Sequence, residues 1–354
     1  MNTIKNANPI IIKSINDLLK FRDEINAGVT ETVYGHFCLG NDIDLNNMQW
    51  IPIGNFEKRK PFCGIFDGNG YTISNLSIFD LKAKEVGLFG YIQGAKIKGL
   101  TVTGAVTSFR TVAGIAGIAN KGSRITCCIN NVSVTGHWYV GGIVGNNNAI
   151  LEDCLNLGAI TGENFVGGIA GFSCNSISNC TNLANITGDW NIGGIVGFNN
   201  TPITNCRNNG TISSLKFSRD YDSYVYSLVI GDSGTADHIF SNTNVGGIAG
   251  HNRNSIFSCN NKGDIFGHDS VGGIVGECSS KSAIKECLAL NSNITAMGED
   301  FGRIAGESIP NSVFSNNYAN KNMQKNSKIH NWRNENYGAS QKNGLDKKTD
   351  QYTL

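Results

Sequence analysis

Proline is scarce in this chain, with 5 in 354 residues, and charged side chains make up only 16%, well short of the usual quarter. Lys plus Arg (29) nearly balance Asp plus Glu (28), leaving +1, so no bulk charge draws the chain to nucleic acid or to an anionic membrane. No apolar run approaches the roughly 18 residues of a membrane-spanning helix, and no membrane insertion is expected. The opening Met1–Pro9 is polar, and the first apolar run, Ile10–Ile12, is too short for a signal-peptide core. Glycine, by contrast, is abundant at 44 residues, and 40% hydrophobic content excludes global disorder. Much Gly and Asn with little charge suits a repetitive β architecture better than a helical enzyme.

One motif recurs: Val140-Gly-Gly-Ile-Val-Gly145, with copies starting at Val166, Ile192, Val245 and Val271 and looser ones at Val86, Val112 and Phe301. The steps between successive copies are 26, 28, 26, 26, 53, 26 and 30 residues. The long step is read as one period carrying an insertion, residues 213–243, because no second Gly-Gly falls inside it. Between motifs come short strand-like segments such as Ala159-Ile-Thr-Gly162, with no helical period. A 26-residue unit of strands and turns is the size of one coil of a parallel β-helix, which buries its apolar face only against its neighbours. The reading is all-β: a single right-handed parallel β-helix of about eight coils, from about Gly64 to Tyr318.

A second column runs through the coils: Leu76, Leu100, Cys128, Cys154, Cys180, Cys206, Cys259 and Cys287. A site that takes Leu in two coils and Cys in six is an inward apolar site, where Cys behaves as a small hydrophobe. The alternative, metal ligands or disulfides, lacks any Cys-x-x-Cys. Asn recurs two residues after the Cys, at Asn130, Asn156, Asn182, Asn208 and Asn261, and is expected to bond from coil to coil. At the N-terminus, Ser14-Ile-Asn-Asp17 reads as a capping box, followed by apolar residues at helical spacing until Gly28. Three regions follow: a capping helix in 1–30, the solenoid in 31–319 and a polar tail in 320–354, expected to be loosely packed.

Gly87-Leu-Phe-Gly90 and the Gly-Ile-Val-Gly series resemble the GLUG motif. The preceding segment, with Asn41-Asp-Ile-Asp-Leu45, Trp50-Ile-Pro-Ile-Gly54 and Phe62-Cys-Gly-Ile-Phe-Asp-Gly-Asn-Gly70, is similar to the lead-in of such proteins. The resemblance spans about residues 20–320. It implies a bacterial secreted or cell-surface protein, a group that includes non-catalytic regions of IgA-specific metallopeptidases. It implies no single activity. The zinc motif His-Glu-x-x-His is missing, as none of the six His residues precedes Glu, so peptidase chemistry does not carry over.

Sites were weighed on the same residues. Asp42 and Asp44 share a strand face, but a solvated face with a turn cap explains them without catalysis. The Gly-rich motifs lack the following helix of a phosphate loop, and no cofactor or metal is implied. Aromatic side chains precede the Gly-Gly motif on three successive coils: Trp138 and Tyr139, Phe165, and Trp190. Such a corner either plugs its own neighbours or stacks on the sugars of an extended glycan. Tyr221, Tyr224 and Tyr226 in the insertion add further ligand-binding candidates, since long loops on rigid scaffolds often carry function. The resulting expectation is a non-catalytic binding or adhesion module whose partner is a glycan or host surface protein. A structural spacer of a larger surface protein and a polysaccharide-active β-helix enzyme are the alternatives.

Overall fold

Each copy of the repeat forms one turn of a coil because its apolar residues fall at inward positions separated by tight corners. In the turn around Cys180, Ile177, Cys180, Ile186, Ile192, Ile195 and Val196 all have no exposed surface. The structure is a computed structural model that describes residues 8–214, 243–333, 338 and 341–347. It is an all-β parallel solenoid. One face is an eleven-stranded sheet running rung by rung from Ile10–Ile12 through His36–Leu39, Ile65–Asp67 and Lys96–Lys98 to Val313–Ser315. A second face is an eight-stranded sheet from Phe89–Gln93 to Ala305–Ser308. A broader, bent strip of short parallel strands joins the two.

Among the described residues the coil has eleven turns rather than the expected eight, and ten gaps of about 4.8 Å make it roughly 48 Å long. Two of the additional turns, at Ile10–Ile12 and His36–Leu39, precede the expected span, and the third arises because nine rungs rather than eight fall between Gly64 and Tyr318. Phe37 pairs with Phe66, and Phe66 with Ile97, steps of 29 and 31 residues that carry no Gly-Gly signature. For the same reason Leu76 lies outside the cysteine column: Ile73 pairs with Val102 and Leu76 with Gly104, across a register shift. Farther along, Ile203 pairs with Ile256 and Ile192 with Val245, so the 53-residue step is a single rung.

From Leu100 onward the cysteine column is buried. Each Cys Sγ lies near the carbonyl two residues before it, as for Cys180 and Ser178 O at 3.3 Å. No cysteine is in a disulfide. Burial pushes the thiols of Cys128, Cys206 and Cys259 well above their usual range, and that of Cys278 up to about 12. In native protein, a thiol reagent is expected to modify the exposed Cys127 and Cys174 first and the half-buried Cys38 and Cys63 later. The seven buried thiols should react only on unfolding; time-resolved intact mass reads the order.

Beside the cysteines runs an amide ladder. The Nδ2 groups of Asn130, Asn156, Asn182 and Asn208 each donate at 2.7 Å to the Oδ1 of the next Asn, ending on Asn261. All five are fully buried. The Gly-Gly motif faces this ladder across the core. A Cβ on Gly168 would overlap the carbonyl oxygen of Gly194 and the amide of Asn182, so the motif is glycine because of close approach, not because of a left-handed backbone.

Both ends are covered. The helix Ile15–Ala27 begins with the expected capping box, Ser14 Oγ accepting from Asp17 N at 3.2 Å, and ends at Gly28 with φ +86°. It buries Leu18, Phe21 and Ile25, and the Phe21 ring lies 4.4 Å from Phe37 and 5.4 Å from Phe62. The helix therefore closes the end of the core, whereas the sheet edge is the strand Ile10–Ile12. At the other end the tail packs more closely than its polarity suggests. Leu345–Lys347 pairs with Tyr318–Asn320, and Trp332 is buried with its Nε1 donating to Met323 O at 2.8 Å. In the last motif Arg303 replaces the second Gly. Its fully buried guanidinium bonds Asp346 at 2.9 Å and the carbonyls of Asn343 and Gly344. Among the described residues no regular rung lies beyond it, which leaves the side chain room that earlier turns lack.

Candidate functional site

The aromatic residues singled out by the sequence fall on two adjacent columns rather than one. Trp138 pairs with Asn164 and Asn164 with Trp190, so the two Trp residues share a register position two rungs apart. Tyr139 and Phe165 occupy the next position and stack on each other, with ring centroids 5.0 Å apart and planes 7° from parallel. Both have positive φ, +56° in each case, a conformation that bulky residues seldom adopt. This left-handed residue accounts for the outward turn of the two rings at the corner before the Gly-Gly motif. Trp138, Tyr139 and Trp190 are half-buried, whereas Phe165 is 7% exposed and backs the others. Tyr221, Tyr224 and Tyr226 lie outside the described residues.

A further column adjoins these on the eight-stranded face. Phe172 pairs with Phe198, Phe198 with His251, His251 with Glu277 and Glu277 with Glu307. Phe172 meets Tyr139 edge-on at 5.8 Å and stacks on Phe198 at 5.6 Å. Phe198 in turn lies 4.5 Å from the His251 ring, 6° from parallel. Arginines flank the strip, with Arg110 5.5 Å from the Tyr139 centroid and Arg253 4.9 Å from that of Phe198. Sequence reasoning missed this column because Phe172, Phe198 and His251 occur after the motif, at the same offset in three copies. That offset was the available signal.

An imidazole–carboxylate pair adjoins the strip. His137 Nδ1 lies 2.8 Å from Glu163 Oε1, and the adjacent carboxylate raises the imidazole above its usual range against the opposing effect of burial. Asp42 accepts from the backbone of Thr72 at 2.7 Å, and Asp44 accepts from Asn46 N at 2.7 Å and Asn75 Nδ2 at 2.8 Å. Those bonds give both acids the capping role. Among the described residues no three His, Cys, Asp or Glu side chains are grouped to hold a metal ion. A shallow polar groove lined by Asn179, Thr181, Asn205, Arg207, Ser258 and Asn260 lies away from the aromatic strip.

Comparison with known proteins locates the chain only in part. No protein-family model matches it. A stretch of 155 residues, 39% of the chain, is 31% identical to halomucin of Haloquadratum walsbyi, of which it spans 2%. Among solved structures, a candidate immunoglobulin A1 protease from Bacteroides ovatus aligns over 97% of this chain and 85% of its own, at 20% identity and a TM-score of 0.49.

Proposed function

We propose that the chain is a surface or secreted solenoid that binds an extended ligand along its aromatic strip, a glycan or a glycosylated host surface protein. The parallel Tyr139–Phe165 stack carries this reading, because it holds rings at a left-handed corner and continues through Phe172 and Phe198. Aromatic faces give apolar stacking at low ordering cost, and repetition along a rod gives avidity for a polymer. The GLUG resemblance and the local likeness to halomucin favour the surface or secreted placement. Trp138, Tyr139 and Trp190 would touch the ligand, with Phe165 as their support.

The test is a glycan and host-protein binding screen, followed by Trp138→Ala combined with Trp190→Ala. Binding should be weak per site and nearly insensitive to salt, since the chain carries +1. The double change should lower affinity about tenfold or more while the melt stays cooperative. Unchanged affinity in a folded variant would make the strip internal packing and the solenoid a spacer.

A further inference from the structure

Where the aromatic column ends, His251 meets Glu277 and Ser279. His251 Nε2 lies 2.8 Å from Ser279 Oγ, and its Nδ1 lies 3.1 Å from Glu277 Oε2. Glu277 is also held by Asn244, whose Nδ2 donates to the same Oε2 at 2.9 Å. Asn244 lies just where the described chain rejoins the solenoid after the insertion. Burial disfavours the Glu277 carboxylate, yet hydrogen bonds from His251 and Asn244 and the charge of Arg253 keep its carboxyl below the usual range. An ionised carboxylate can only accept, so Nδ1 carries the imidazole proton. In the neutral imidazole, Nε2 is then left to accept from the Ser279 hydroxyl. Stacking on Phe198 fixes the plane of the ring.

This is the arrangement of a nucleophile, a base and an orienting acid, which is recognised by geometry and roles rather than by fold or chain order. Ser279 is partly exposed, while His251 is 9% exposed. Ser279 also opens a turn closed by Ser282 N donating to its carbonyl at 3.1 Å. That bond leaves the N–H groups of Ser280 and Lys281 outside it, on the residues after the nucleophile, where acyl-transfer sites place oxyanion donors.

We propose that Ser279, His251 and Glu277 form an acyl-transfer site that hydrolyses carboxylic esters through an acyl-enzyme on Ser279. Ser279 Oγ attacks the ester carbonyl carbon as its proton passes to His251 Nε2. The ester C–O bond then breaks, and the same proton passes to the departing oxygen, releasing the alcohol. Water adds to the acyl-serine, giving its proton to Nε2. Collapse releases the carboxylic acid and returns the proton to Oγ. Glu277 stays ionised throughout and positions the imidazole.

The test uses the full chain with a fluorophosphonate as the probe of an activated serine, and a p-nitrophenyl ester as the turnover substrate. One phosphonyl group per chain is expected, mapped by peptide mass to Ser279. Ser279→Ala should abolish both labelling and turnover. His251→Phe, which keeps a ring on Phe198, should slow both by about a hundredfold or more, and Glu277→Gln by about tenfold or more. Two results would overturn the proposal. One is a folded chain that leaves Ser279 unmodified under conditions that label a known serine hydrolase. The other is His251→Phe labelling as fast as the wild type, which would make the three groups a bridge between rungs.

Discussion

Cys180→Asp is expected to destabilise the solenoid by about 3–5 kcal/mol, the range for an uncompensated charge in a core. Cys180 is fully buried, in a column between Cys154 and Cys206. The carbonyl that its Sγ contacts, Ser178 O at 3.3 Å, is an acceptor and cannot satisfy a carboxylate. The same environment already holds the neighbouring thiols neutral far above their usual range. Because each rung buries its apolar face only against the rungs beside it, damage at the centre should spread in both directions. Denaturant unfolding followed by far-ultraviolet circular dichroism reads the change, with Cys180→Ala as a milder control that introduces no charge. A Cys180→Asp midpoint within about 1 kcal/mol of the wild type would place the column outside the core.

Gly168→Ala should be the other severe change, at about 3 kcal/mol, the upper end of the usual cost of overpacking. The added methyl would collide with the Gly194 carbonyl, which is fixed in the next rung, and with the Asn182 amide. The carbonyl is backbone, and the Asn182 amide is held on both sides by Asn156 and Asn208. Asn182→Ala alone should cost about 1–3 kcal/mol, since Asn156 loses its acceptor and Asn208 its donor. The two changes touch one site, so the double variant should be less destabilised than the sum. Relief stays partial because the Gly194 carbonyl remains. The chain contains a related substitution near its C-terminal end, where Ala289 stands in place of the ladder Asn opposite Gly273, 2.8 Å from where a Cβ on Gly273 would lie. A double-mutant cycle by denaturant unfolding measures the coupling. Additive costs would mean that the glycine column and the amide ladder do not face each other.

Much of the architecture was legible because a solenoid turns sequence period into spatial neighbourhood. A 26-residue step aligns Ile125 with Leu151 and then Ile177, so a column of identical residues in the sequence is a column in space. Hence the inward cysteines, the Asn ladder and the capping helix could be read without coordinates. The N-terminal turns could not, because steps of 27, 29 and 31 residues and the absence of Gly-Gly hide their register, and Leu76 was misplaced with them. The packing of the described tail residues was hidden for a different reason: its anchors are single and widely spaced, with Met323 and Trp332 buried and Arg303 meeting Asp346 across 43 residues of chain.

The candidate sites divide along the same line. The amino-acid sequence alone determined which residues point inward and which stand at the aromatic corner, since both follow from a repeated offset and the apolar character of the core. Only the tertiary structure decided that Trp138 and Tyr139 belong to separate columns, that Phe172, Phe198 and His251 continue the strip, and that His251 meets Glu277 and Ser279. Those outward contacts depend on side-chain direction at a left-handed corner and on register between neighbouring rungs. Period gives the register but not the direction, because an outward position accepts any residue that solvent tolerates.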